Sequence, residues 1–133
     1  MKLARLFLVS LALASSMFAA SKSGMFANVS SNEIHKVQMA TKMTFMFQKD
    51  GHPVTIFLND KGVMVADKTR KEYAKAQDNL AKFIAKGGKV LICPMCLKHY
   101  AIDPKDLIDG AMVANHQAVE NALFAPNTTA LSW

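Results

Sequence analysis

Cysteine is nearly absent: the 133-residue chain has two, Cys93 and Cys96. Two thiols cannot make the disulfide framework on which many small secreted folds depend, so the core must come from apolar burial. A chain that is 51% hydrophobic can supply it. Prolines number only four and glycines six, and no stretch is rich in either, so no linker divides the chain and one domain is expected. No repeat or low-complexity segment occurs. Acidic residues are outnumbered, ten against sixteen Lys and Arg, but two of the six net positive charges come from Lys2 and Arg5. The other lysines are scattered along the chain as on solvated helix faces. Aromatics, at 8%, do not interleave with a basic patch, and nucleic-acid binding is not expected. A long hydrophobic run is also missing: residues 6–13, LFLVSLAL, are too short to span a bilayer comfortably.

That short run has a different use. Lys2 and Arg5 precede it, and small residues follow at Ala14, Ser15, Ser16, Ala19, Ala20 and Ser21. The pattern predicts a secretory signal peptide over residues 1–20, a domain over 21–133 and a periplasmic location. It also predicts no stable membrane insertion after cleavage, and no cysteine near the cleavage region offers a lipid anchor. Export matters chemically, because outside a reducing cytosol Cys93 and Cys96 form a disulfide unless something keeps them reduced or metallated.

Apolar runs and helical stripes alternate along the rest. Residues 25–29 read as a first strand. Ser30, Ser31 and Asn32 are candidate helix caps, and Glu33 places a negative charge in the first turn of a helix over 33–49. Ile34, Val37, Ala40, Met43 and Phe47 form its stripe, widened by Met39, Phe45 and Met46, an arc too broad for one sheet face to cover. A trimer or hexamer is therefore expected. Residues 53–58 read as a second, buried strand, 62–66 as a short helix, and 72–86 as a helix closed by Gly87 and Gly88. A short helix follows Asp103 and Pro104. A last helix over 116–124 turns Val119, Ala122 and Leu123 inward, and residues 128–133 form a final strand. Strands of continuous apolar character alternating with helices predict an α/β fold, a three-layer sandwich with a mainly parallel sheet of about five strands. Sites in such sheets gather beyond the carboxyl ends of the strands. Residues 28–32, Asn59, Asp60 and Cys93 should meet there.

The chemistry concentrates in residues 89–100, KVLICPMCLKHY. A buried strand (Val90, Leu91, Ile92) delivers Cys93 at its end, because Pro94 lacks the N–H that a central strand needs. Two thiols in Cys-x-x-Cys spacing beside Lys98 and His99 are poorly explained as core filler. Haem attachment fails, since Leu97 stands where histidine would follow the second cysteine. Dithiol exchange of the glutaredoxin type sits badly with a dithiol this late in the chain. Zinc or copper binding through Cys93, Cys96 and His99, with Met95 as a thioether, remains an alternative that lacks an evident fourth ligand. A persulfide carrier needs an accessible thiolate that a partner's thiol can reach. Cys93 at a strand end meets that description, with Cys96, past the proline in a less constrained segment, as an ordinary second thiol.

Five segments carry a resemblance: FANVSSN at 26–32, GHPVTIFLND at 51–60, GKVLICPMCLKHY at 88–100, DLIDGA at 106–111 and LSW at 131–133. Through them the chain resembles the DsrE/DsrF-like (YchN-like) family of small α/β proteins. The resemblance implies a parallel-sheet fold and homo- or hetero-oligomers, here a homotrimer or homohexamer. In the sulfur-relay members it implies a persulfide-forming cysteine at the end of the third strand, the position of Cys93, and a protein partner as sulfur donor or acceptor. This chain departs from the relay subunits in its expected export and in its second cysteine. The function expected is that of a periplasmic sulfur-handling protein needing no cofactor, a carrier or transferase rather than a turnover enzyme. The alternatives are a zinc or copper module, or a structural oligomer with incidental thiols.

Overall fold

The computed structural model describes residues 22–133, so the expected signal peptide lies outside the described residues. Strand β1 (Gly24–Val29) leads to helix α1 (Ile34–Lys49), β2 (Val54–Leu58), a 3-10 segment (Asp60–Ala66), a 3-10 turn (Lys71–Tyr73) and α2 (Ala74–Ala85). Strand β3 (Lys89–Ile92), α3 (Pro94–His99), a 3-10 turn (Pro104–Asp106), β4 (Met112–Val113), α4 (His116–Leu123) and β5 (Thr128–Ser132) complete the chain. The five strands form one all-parallel sheet in the order β4-β3-β2-β1-β5.

This order, with right-handed crossovers, fixes the layers. From β1 to β4 the chain steps in one direction across the sheet, so α1 and α2 fall on one face. The return from β4 to β5 crosses the whole sheet the other way and carries α4 over the opposite face. Alternation then assigns the strand residues. Ala27, Val29, Val54, Ile56, Leu58, Val90 and Ile92 share one buried cluster with Val37 and Ala40 of α1 and Ala76, Leu80 and Phe83 of α2. Phe26 and Leu91 are buried on the other face, outside that cluster.

Helix α1 starts and packs differently from what the residue pattern predicts. Its N-cap is Glu33, whose extended backbone lets the carboxylate accept from the amides of His35 and Lys36 at 2.9 and 2.8 Å. Ser31 instead accepts from the Glu33 amide at 3.1 Å. The buried stripe is Val37, Ala40, Thr41 and Thr44, while Ile34, at 46% exposed, lies outside it. The threonines are invisible to an apolar pattern because their hydroxyls are satisfied locally, on the carbonyls of Val37 (2.8 Å) and Ala40 (2.9 Å). Small residues there let α2 come close, with Asn79 donating to Thr41 Oγ1 at 3.2 Å and Gln48 to the Phe83 carbonyl at 3.0 Å.

The close of α2 agrees with expectation. Gly87 takes a φ of +84°, and the amides of Gly87 and Gly88 bond back to the carbonyls of Ile84 and Phe83. The short helix expected over 62–66 is present as a 3-10 segment that begins earlier, at Asp60, whereas the one expected after Asp103 is cut to a single 3-10 turn. Strand β4 is only two residues long, too short for alternation to reveal.

Candidate functional site

The sheet ends at one edge in a layer of paired polar side chains. At the carboxyl end of β2, Asn59 donates to Asn28 Oδ1 of β1 at 2.6 Å, and Asn28 donates on to Ser132 of β5 at 3.3 Å. The Asp60–Ala66 segment presses so closely on the end of β1 that a Cβ on Gly62 would lie 2.0 Å from the Val29 carbonyl oxygen. Only glycine fits that approach. As predicted, β3 ends at Ile92, and Cys93 comes next, its amide still bonded to the Leu58 carbonyl at 3.0 Å.

A helix begins directly after Cys93. Cys93 is the N-cap of α3 and Pro94 its first residue, a position where the missing N–H costs nothing. Leu97, 3% exposed, and Ile102, 7% exposed, anchor the segment in the core. Cys96 is therefore held by a helix, contrary to the looser segment expected for it. Cys93 is itself buried, 7% exposed, so it is less accessible than a strand-end thiol was expected to be, and Cys96 is the more open of the two. Both are free thiols.

The helical turn sets the sulfurs side by side. Cys96 Sγ lies 2.7 Å from Cys93 Sγ, positioned to donate to it, and the Cys96 amide donates to the same sulfur at 3.4 Å. Cys96 Sγ in turn accepts from the amide of Asp60 at 3.1 Å. Asp60 adopts a left-handed backbone, φ +43°, and its carboxylate accepts from the Tyr100 hydroxyl at 2.5 Å. Burial, above all, pushes the Cys96 thiol up from its ordinary range. The hydrogen bond to Cys93 adds to this, and the Asp60 amide works against it. The bond to Asp60 likewise raises the Tyr100 hydroxyl, which keeps its proton.

Asp60 joins the strand-end cluster as expected. Tyr100 was not singled out from the sequence, although it lies four residues after Cys96 and so shares its face once α3 is known to be a helix. His99 is exposed and stacks edge-on against Tyr100 with ring centres 4.7 Å apart. Among the described residues, no group of three or more His, Cys, Asp or Glu side chains is arranged to hold a metal ion, the trio Cys93, Cys96 and His99 included. A cleft of about 840 Å³ lies at the opposite end of the sheet, lined by strand-initial residues such as Gly24, Val54 and Lys89, and by Ala118 and Ala122 of α4. It does not reach the thiols.

A parallel five-stranded sheet with a paired thiol at the end of its third strand defines an α/β domain with a strand-end dithiol. Residues 13–124 match the DsrE/DsrF-like family, and the chain belongs to it. Two solved structures share the fold. The ychN protein from E. coli is 17% identical, with a TM-score of 0.70 over 85% of this chain and 99% of its own. MTH1491 from Methanobacterium thermoautotrophicum, a protein of unknown function, is 11% identical with a TM-score of 0.70, over 84% of this chain and all of its own. Among curated proteins none matches. Among the described residues no helix is long and apolar enough to cross a membrane.

Proposed function

We propose that this is a periplasmic sulfur-handling protein in which Cys93 carries or exchanges sulfane sulfur and Cys96 serves as the second thiol. The observation that carries the reading is the sulfur pair at the end of β3, with Cys93 Sγ accepting from both the thiol and the amide of Cys96. The two roles follow position: Cys93, at the strand end, is the loading thiol, and Cys96, on the first turn of the helix that Cys93 caps, is its neighbour. Membership in the DsrE/DsrF-like family supports sulfur relay as the setting, with a protein donor or acceptor of sulfur. The amino-terminal pattern of Lys2, Arg5 and residues 6–13 supports export. Ile34, Met39 and Met46, between 43% and 51% exposed on α1, support assembly as a homotrimer or homohexamer.

The test loads purified protein from a persulfide donor and tracks sulfane-sulfur labelling and metal stoichiometry together. The variants are Cys93→Ser, Cys96→Ser and His99→Ala. Cys93→Ser abolishes loading, Cys96→Ser does not, and His99→Ala changes nothing. Loading by Cys93→Ser equal to the parent's refutes the carrier assignment. Bound zinc or copper, lost in all three variants, establishes the metal alternative instead.

A further inference from the structure

The geometry of the pair bears on the fate of a sulfane sulfur as well as on where it is held. A persulfide on Cys93 has two sulfurs open to attack. If a partner's thiol attacks the outer one, the sulfane atom is handed on and Cys93 returns as a thiol. If a thiol attacks the inner one, Cys93 Sγ itself, the outer atom is expelled as hydrosulfide and a disulfide remains.

Cys96 is built to do the second. Its sulfur is 2.7 Å from Cys93 Sγ, and the contact is fixed from several sides. The Asp60 amide holds Cys96 Sγ at 3.1 Å, the Tyr100 hydroxyl holds the Asp60 carboxylate at 2.5 Å, and the Tyr100 amide bonds the Cys96 carbonyl at 3.0 Å. Leu97, buried between the cysteine and the tyrosine, pins the helix that carries them. Displacement at sulfur is in-line, so the leaving sulfur departs opposite the attacking one. Cys96 holds one side of Cys93 Sγ, and an added sulfane atom must take another. The Asp60 amide faces the atom on which negative charge develops as the Cys96 proton is lost.

Resting on the sulfane-sulfur reading above, we propose that the Cys93–Cys96 pair reduces persulfides to sulfide: Cys96 resolves a Cys93 persulfide internally, and the sulfane atom leaves as hydrogen sulfide. The substrate class is a small-molecule or protein hydropersulfide, R–S–SH. Loading exchanges R–S–SH and Cys93–SH for R–SH and Cys93–S–SH. Resolution converts Cys93–S–SH and Cys96–SH into the Cys93–Cys96 disulfide and hydrogen sulfide. The S–S bond to the outer sulfur breaks as the intramolecular S–S bond forms, and the Cys96 proton leaves with the hydrosulfide. The two cysteine sulfurs supply the two electrons that reduce the sulfane atom. A second round needs an external dithiol reductant to reopen the disulfide.

The experiment mixes reduced full-length protein, freed of reductant, with cysteine persulfide, then measures trapped sulfide and intact mass. The double variant Cys93→Ser/Cys96→Ser sets the background, and circular dichroism confirms that each variant is folded. The parent releases sulfide equimolar with chain and becomes two hydrogens lighter. Cys96→Ser becomes one sulfur heavier and loses sulfide release. A parent that stays one sulfur heavier, with no disulfide, overturns internal resolution while leaving the carrier reading intact. A Cys93→Ser variant that becomes one sulfur heavier, as Cys96→Ser does, overturns the carrier reading itself.

Discussion

The two faces of the sheet are built to different standards. On one, α1 and α2 bury Val37, Ala40, Ala76, Leu80 and Phe83 completely against Ala27, Ile56, Leu58, Val90 and Ile92, each at most 1% exposed. On the other, an eight-residue helix spans the return from one sheet edge to the other, and α4 contributes no fully buried side chain. On that face Phe26 and Phe57 meet with ring centres 6.0 Å apart, and a cleft stays open at the strands' amino ends. Stability is therefore expected to reside mainly in the α1/α2 face. The carboxyl-end site draws its rigidity from the same face, since Leu97 and Ile102 belong to that cluster.

Four substitutions test this contrast, the largest effect first. Phe83→Ala empties a fully buried position between α2 and the sheet and is expected to cost about 3–5 kcal/mol in urea unfolding. A loss of well under 1 kcal/mol would place the stability elsewhere.

Gly62→Ala forces a Cβ against the Val29 carbonyl, with a cost of roughly 1–3 kcal/mol or more. Because Gly62 lies two residues past Asp60, the same change should displace the Asp60 amide from Cys96 and alter the alkylation rate of that thiol. Destabilisation with unchanged alkylation would separate the site from the strand-end packing.

Asp67, 7% exposed, gives the same face its acid dependence. Burial alone would raise its carboxyl, but bonds from the Thr69 hydroxyl (2.6 Å) and amide (3.0 Å) and from Arg70 Nε (3.2 Å) outweigh it and hold the group below its usual 3.8. The depressed folded value means that the contribution is present above about pH 4 and disappears as pH falls through the folded value. Asp67→Asn should lower stability at neutral pH by about 1–3 kcal/mol and flatten the acid limb of the stability curve. An unchanged limb would assign the acid sensitivity to another carboxylate.

The smallest effect belongs to the thin face. Leu123→Ala, at a half-buried position of α4, should cost under about 1 kcal/mol. A cost matching that of Phe83→Ala would abolish the distinction between the faces.

Much of this architecture is legible from residues. Continuous apolar runs mark β1, β2 and β3, Gly87 and Gly88 mark the end of α2, and Pro94 stops β3 beside Cys93. Other features are illegible for definite reasons. The buried stripe of α1 includes Thr41 and Thr44, which count as polar until their hydroxyls are seen bonded to the preceding turn. Helix α3 escapes a residue-level reading because a proline after a strand reads as a stop, although proline is equally a first helical residue. The same blind spot leaves Cys96 in a looser segment and hides Tyr100.

Local sequence was enough for the fold class and for the arrival of a thiol at a strand end, because backbone periodicity and the missing proline amide act within a few residues. Which thiol is buried and which groups hold the pair depend on the folded chain. Asp60 and Tyr100 stand 36 residues before Cys96 and four after it, and the Asp60 contact exists only because parallel pairing sets the end of β2 beside the end of β3. Desolvation and hydrogen bonding act at distances of a few ångströms, and only the folded sheet brings these residues within that range.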